Sequence, residues 1–253
     1  IRAPETLVLE QPITEGPQTD TKGTVGAPRG SYRLPTTDDP RNLITLSANA
    51  DPSTFVHEVG HMFLFQMLRD LADPRLTAEG RTQLQGQIDA TRAWFSSNAA
   101  QGLTELKALA KSTSKRAAAA PNNAELQLRA SRLTGAVQRA EAGGGAAYME
   151  RVAQTFMATA APGRDEAAEV VYHELWARGF EKYLGTGSAP SAELRNVFAK
   201  FAQYISNVYK SLRSLNVTVS PEVADVFDRL LATEEAITQE RRGAMYQLSP
   251  GVL

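Results

Sequence analysis

Ser53-Thr-Phe-Val-His57-Glu58-Val-Gly-His61-Met-Phe-Leu64 is the stretch on which the reading of this chain turns. Phe55, Val59, Met62, Phe63 and Leu68 recur at helical spacing and would pack one flank against a core. Asp51, with Pro52 in the first turn, or Ser53 one step later, can cap the start. On such a helix His57 and His61 stand one turn apart on the same face, so both imidazoles can reach one metal ion. Glu58 points about 100° away from His57, where a base acting on a zinc-bound water belongs. The chain has only three histidines and two of them are here, which weighs against an accidental spacing on a core helix. Imidazole ligands in an expected tetrahedral site indicate zinc (Zn2+).

Composition sets the frame. With 253 residues, 42% hydrophobic and 22% charged, the chain can bury a sizeable core as one large domain or two small ones. A net charge of -1 argues against a general nucleic-acid or membrane-surface role, and basic runs such as Lys111–Arg116 read as solvated faces. There is no cysteine, so no disulfide braces the fold and any zinc must be held by His and carboxylate. No apolar run approaches the roughly 18 residues that a membrane span needs. The chain begins at Ile1 without the charged head and apolar stretch of a signal peptide, and reads as a segment of a longer polypeptide.

Outward from the metal helix, residues 1–40 are rich in Pro, Gly, Thr and Asp and predict an extended arm. Thr6–Glu10 and Leu43–Ser47 are candidate strands. Asp73-Pro74 breaks the chain after the helix, and 77–160 reads as several helices rich in Ala, Gln and Arg. Leu84, Ile88 and Phe95 form one apolar stripe; Leu126, Ala130, Leu133 and Val137 form another. Lys111–Pro121 and Ala142–Gly145 look like mobile connections. A long amphipathic helix follows Gly185–Ser191, with Leu194, Val197, Phe198, Phe201, Ile205, Val208, Tyr209 and Leu212 on its apolar face. Ser220-Pro221 opens a last helix to Leu231, and 236–253 reads as a polar tail.

Two histidines leave an open zinc site one protein ligand short. The stretch from Asp165 to Leu184, stopped by Gly185, predicts a helix that places Glu174, Arg178 and Glu181 on one stripe. Its neighbours Leu175, Trp176, Ala177 and Phe180 argue for burial, which weighs against a solvated Glu174–Arg178 ion pair. Glu174, Glu181 and His173 are the candidates for the third ligand; a further histidine six residues after His61 is ruled out because that position is Met67. Whichever carboxylate is not the ligand, or Arg178, would orient the first shell by hydrogen bonds. Tyr172, Tyr183, Tyr148 and Arg178 are candidates to hydrogen-bond a developing oxyanion.

The segment around His57-Glu58-Val-Gly-His61, followed far downstream by His173-Glu174-Leu-Trp-Ala177-Arg178-Gly-Phe180-Glu181, resembles the zincin-like, gluzincin-type metallopeptidase domains of large polyvalent proteins of tailed bacteriophages. The likeness covers about residues 40–235. It implies a mainly α fold with a small β element (α+β), a zincin-like domain over 41–235 with a helical insertion at about 77–160. It also implies Glu174, three residues before Ala177, as the third ligand. Leu175-Trp176 departs from the family, which more often has Phe at the second of those positions. In such domains the edge strand that pairs with an extended substrate lies near Leu43–Leu46, which would recognise peptide by strand addition; a buried strand with no such role is the alternative.

The expected activity is that of a zinc metalloendopeptidase, with His57, His61 and Glu174 holding the metal and Glu58 as general base. Its partners would be a protein or peptide substrate and other virion or host proteins, in the virion or the host cytoplasm, with no specific nucleic acid and no membrane span. The alternative is a virion structural or cargo protein that keeps the fold without turnover; an effector cleaving a host defence protein would share the chemistry and differ in target.

Overall fold

The structure, a computed structural model, describes residues 7–10, 30–33, 42–46, 52–156 and 164–214. Among the described residues there are seven helices: α1 (Pro52–Leu71), α2 (Ala78–Ser97), α3 (Ala99–Ala119), α4 (Ala124–Ala142), α5 (Ala146–Phe156), α6 (Glu166–Thr186) and α7 (Ala192–Ser214). The expected α+β zincin fold is overturned. The body is 85% helical, and between 52 and 214 no described residue belongs to a strand, so the class is all-α. The physical reason lies in the long stretches dominated by Ala, Leu, Gln, Glu and Arg, the strongest helix formers, with apolar residues spaced at three and four.

The arm ahead of α1 adds three short strands, β1 (Leu7–Glu10), β2 (Gly30–Arg33) and β3 (Asn42–Leu46), in the order β1-β3-β2. β3 pairs parallel with β1, Leu9 opposite Ile44, and antiparallel with β2, Tyr32 opposite Ile44. Both of its edges are therefore taken, and Leu43–Leu46 is not an open edge for strand addition. The alternative, a buried strand, agrees with Ile44, which is 0% exposed.

Two compact units divide the chain, one running Gln66–Trp176 and the other made of the stretches before and after it. Helices α1 and α6 pass from one unit into the other without a break. In the first unit Leu84, Ile88 and Phe95 of α2 are buried as their spacing predicts, and the Phe95 ring lies 4.9 Å from that of Tyr172 and 5.9 Å from that of Phe156. Thr77 caps α2 by accepting from the Gly80 amide, and Asn123 caps α4 through the Leu126 amide.

α3 and α4 form an antiparallel pair, with Ser114 Oγ 3.5 Å from Thr134 Oγ1 and Gln127 Nε2 donating to the Ala117 carbonyl at 2.7 Å. Its buried face is small: Gly102, Leu106, Ala110, Thr113 and Ala117 from α3, and Ala130, Leu133, Ala136 and Ala140 from α4. Leu126 and Val137 of the predicted stripe are only half-buried, because alanine faces let helices approach closely and leave larger side chains at the rim. Lys111–Pro121 is not a loose connection either, since α3 continues to Ala119 with Thr113 and Ala117 buried beneath it. Gly143–Gly145 is a tight turn: Gly144 and Gly145 take φ of 94° and 64°, and the Gly145 amide donates to the Ala140 carbonyl at 2.7 Å.

In the second unit Phe63 stacks on Phe201 at 4.5 Å and meets Phe180 edge-on at 5.8 Å, while Phe180 meets Phe198 at 5.5 Å. Phe55, Val59, Met62, Leu194, Val197 and Ile205 complete this core. Ser191 caps α7 by accepting from the Leu194 amide at 3.2 Å. Helix α6 runs two residues past the expected last residue, Leu184, and Gly187, with φ 71°, ends it through its amide to the Tyr183 carbonyl at 2.7 Å. No described helix is long and apolar enough to cross a membrane. The proposed cap at Asp51, the side chains of Val208, Tyr209 and Leu212, the helix from Ser220 to Leu231 and the tail at 236–253 lie outside the described residues.

Candidate metal centre

Helix α1 is buried almost all round. Between residues 54 and 68 only His57, His61, Phe65 and Leu68 are half-buried, and everything else is buried, Glu58 included at 8% exposure. The same holds for α6. Between 168 and 184 the half-buried positions are Val170, His173, Glu174, Arg178 and Glu181, and only Lys182 is exposed. A helix enclosed in this way has one narrow strip on which polar groups escape full desolvation, and the half-buried positions include His57 and His61 on α1 and Glu174, Arg178 and Glu181 on α6, while Glu58 is buried.

The two helices nearly touch beside the histidines. A Cβ on Gly60 would lie 3.1 Å from the Ala177 Cα and 3.4 Å from Phe180 Cδ1, so the absence of a side chain at 60 allows this spacing. The sequence marked Ala177 as buried but did not single out Gly60 or its approach to Ala177. The available signal was a glycine inside an otherwise apolar helix, which usually marks a packing requirement. His57 and His61 flank Gly60 on α1, with ring centroids 4.8 Å apart and planes at 82°. Glu174 precedes Ala177 by one turn of the same unbroken helix, and chain continuity sets its place. His57, His61 and Glu174 each offer one ligand atom, and these atoms all lie within 4.8 Å of one another.

Comparison with protein-family models, curated proteins and solved structures returns no match. The site therefore has to be judged on its chemistry. Two imidazoles and a carboxylate are a donor set that zinc accepts, with bonds of about 2.0–2.2 Å. Donor atoms around such a tetrahedral ion stand about 3.3–3.6 Å apart, so a spread of up to 4.8 Å is within about 1.5 Å of what the ion requires. The residues fit the ion.

The other named residues are placed elsewhere. Glu181 has Oε2 3.5 Å from Nδ1 of His57 and stands outside the donor group. His173 turns away to meet the Phe156 ring edge-on at 4.7 Å. Tyr172 is 0% exposed and donates its hydroxyl to the Met149 carbonyl at 2.7 Å; burial pushes its hydroxyl well above the usual range. Tyr148 donates to Asp165 at 2.6 Å, where Arg139 also donates through Nε and Nη2, each at 2.8 Å. Tyr183 is 4% exposed, its ring 5.7 Å from Phe198, and nine residues of helix put it on the face opposite Glu174. The three tyrosines are thus held in packing or structural hydrogen bonds, which leaves Arg178, on the strip with Glu174 and Glu181, as the oxyanion candidate.

Asp165 was not anticipated. Its Oδ1 accepts from the Ala168 amide at 3.2 Å, which makes it the cap of α6. Burial opposes its charge, but the hydrogen bonds from Arg139 and Tyr148 outweigh that and hold its carboxyl below the usual carboxylate range. The sequence signal was present, an Asp at the foot of a helix with Glu166 and Glu169 in its first turn.

Proposed function

We propose that this chain is a zinc-dependent hydrolase of peptide bonds, a metalloendopeptidase. The observation that carries the proposal is the convergence of His57, His61 and Glu174 within 4.8 Å, with Glu58 beside His57 on α1. When bound, zinc supplies a Lewis acid that acidifies water and polarises a carbonyl. His57, His61 and Glu174 would hold it.

The remaining chemistry belongs to side chains of this chain. Glu58 accepts the proton of the attacking water as its oxygen bonds to the carbonyl carbon, then delivers that proton to the amine nitrogen as the C–N bond breaks. Arg178 carries a fixed positive charge on the strip that holds Glu174, where it can hydrogen-bond the oxygen that gains charge. The buried flanks of α1 and α6 strengthen each of these interactions by excluding water. Its targets, as the resemblance implies, are proteins of a virus particle or of the infected cell.

The test is Glu58→Gln in the zinc-loaded protein, assayed on unfolded casein and on a set of internally quenched peptides. Gln keeps the size and helix preference of Glu but accepts no proton. The variant should bind one zinc as the wild type does and lose cleavage by about 10²- to 10⁴-fold. Cleavage within a few-fold of wild type, or a wild type that takes up no zinc, refutes the reading.

A further inference from the structure

The net charge of -1 over the whole chain conceals an uneven distribution. The antiparallel pair α3 and α4, residues 99–142, holds seven Lys and Arg against three Glu, a surplus of four positive charges, so the rest of the chain is acidic. Lys107 is paired with Glu141 at 2.8 Å, and Arg139 with Asp165 at 2.8 Å. Lys111, Lys115, Arg129 and Arg132 are exposed and form no ion pair among the described residues. Gln127 donates to the Ala117 carbonyl and Ser114 meets Thr134, which sets Lys115 level with the stretch from Arg129 to Arg132 and Lys111 about one turn nearer the base of the pair. The Lys111–Arg116 run is therefore part of a larger basic surface built from two helices.

We propose that this helical pair binds the phosphate backbone of double-stranded nucleic acid without reading its sequence. The charge calls for an anionic partner, and the residues around it select which. A helix that lies on an anionic membrane needs an apolar face at the surface. Here the apolar faces are turned inward, with Leu106, Ala110, Ala117, Ala130, Leu133 and Ala136 buried, and Leu128 is the exposed large hydrophobic side chain. An acidic protein would be held by aromatic or apolar anchors at the centre of the contact, and a single strand by rings on which its bases stack; residues 99–142 contain no Phe, Tyr or Trp. What the surface offers is cations and short polar side chains such as the exposed Ser131 and Gln138, which contact phosphate oxygens and specify no base. Lys107, Lys111 and Lys115 follow one another at a rise of about 6 Å, and a duplex carries one charge per about 1.7 Å of its axis, so every cation of the row finds phosphates within reach. The metal centre plays no part in this proposal.

The test is fluorescence anisotropy of a short labelled DNA duplex of mixed sequence, titrated with the full chain at several salt concentrations. Between about 50 and 200 mM salt the affinity should fall about 150-fold if four phosphates are neutralised. The double variants Lys111→Gln/Lys115→Gln and Arg129→Gln/Arg132→Gln keep good helix formers at exposed positions, so their circular dichroism should match wild type. Each should weaken binding and flatten the slope of log affinity against log salt by about 2. Arg195→Gln/Lys200→Gln removes the same charge from α7 and should leave the slope unchanged. A wild type that fails to bind the duplex at about 50 mM salt, or a slope that changes equally in all three variants, overturns the inference. Tighter binding to a single strand of the same length, to polyglutamate or to phosphatidylserine vesicles than to the duplex overturns it as well.

Discussion

Gly60→Ala sets two effects of known sign against each other. Taken as a helix residue alone, Gly60 should be improved by the change, because alanine is favoured over glycine in a helix interior by about 1 kcal/mol. The new Cβ, however, would stand 3.1 Å from the Ala177 Cα, a backbone atom that cannot rotate away. The Phe180 Cδ1 and Ala177 Cβ, at 3.4 and 3.5 Å, are in ordinary contact and add little. Relief requires α1 and α6 to part by a few tenths of an ångström in a core that includes the Phe63–Phe180 contact. Overpacking of this kind costs about 1–3 kcal/mol. The balance is a net loss of up to about 2 kcal/mol, with a larger loss for Gly60→Val. Urea unfolding of the metal-free protein measures it, and zinc titration of the same samples should show weaker binding, because His57 and His61 flank the residue that moves. A variant about 1 kcal/mol more stable than wild type, as propensity alone demands, with unchanged zinc affinity, would refute the close approach of the helices and the geometry of the site with it.

Two further outcomes are expected. Glu174→Ala should abolish stoichiometric zinc binding at micromolar metal while Glu181→Ala only weakens it, read by metal analysis after gel filtration; the reverse order would exchange the two roles. Asp165→Ala should lose the α6 cap and the Arg139 and Tyr148 hydrogen bonds, at a cost of about 2–3 kcal/mol near neutral pH once the exposure of Arg139 is allowed for. The folded carboxyl lies below its ordinary 3.8, so its contribution is fully present above that value and is lost as pH falls through the folded one. In urea melts of metal-free protein, the gap between wild type and Asp165→Ala should therefore narrow from pH 5 to about pH 2.5; a constant gap would show that the carboxylate charge plays no part.

Much of the site was legible in local pattern. The spacing of His57 and His61, the side position of Glu58 and the stripe Glu174, Arg178 and Glu181 are consequences of 3.6 residues per turn, which any stretch of helix carries in its own residues. The stripe Leu84, Ile88 and Phe95 was legible for the same reason. Fold class was misjudged because the resemblance rested on site motifs, which constrain the residues around a metal and leave the surrounding layers open. The Lys111–Pro121 segment was misjudged because its charges and small residues resemble a linker, whereas alanine there is both the best helix former and the right size for the α3–α4 contact.

By itself the sequence determined where the helices lie, which face of each is apolar, and that two imidazoles and a glutamate share one turn, because these depend on neighbours along the chain. Only the tertiary structure brought a donor atom of Glu174 near those of His57 and His61, drew Tyr148 and Tyr172 into hydrogen bonds with Asp165 and Met149, enclosed β3 on both edges, and made Gly60 the point where α1 meets Ala177. Those outcomes depend on which surfaces meet across long separations in sequence. Hydrophobic burial settles that choice collectively for the whole core, and no single motif can express it.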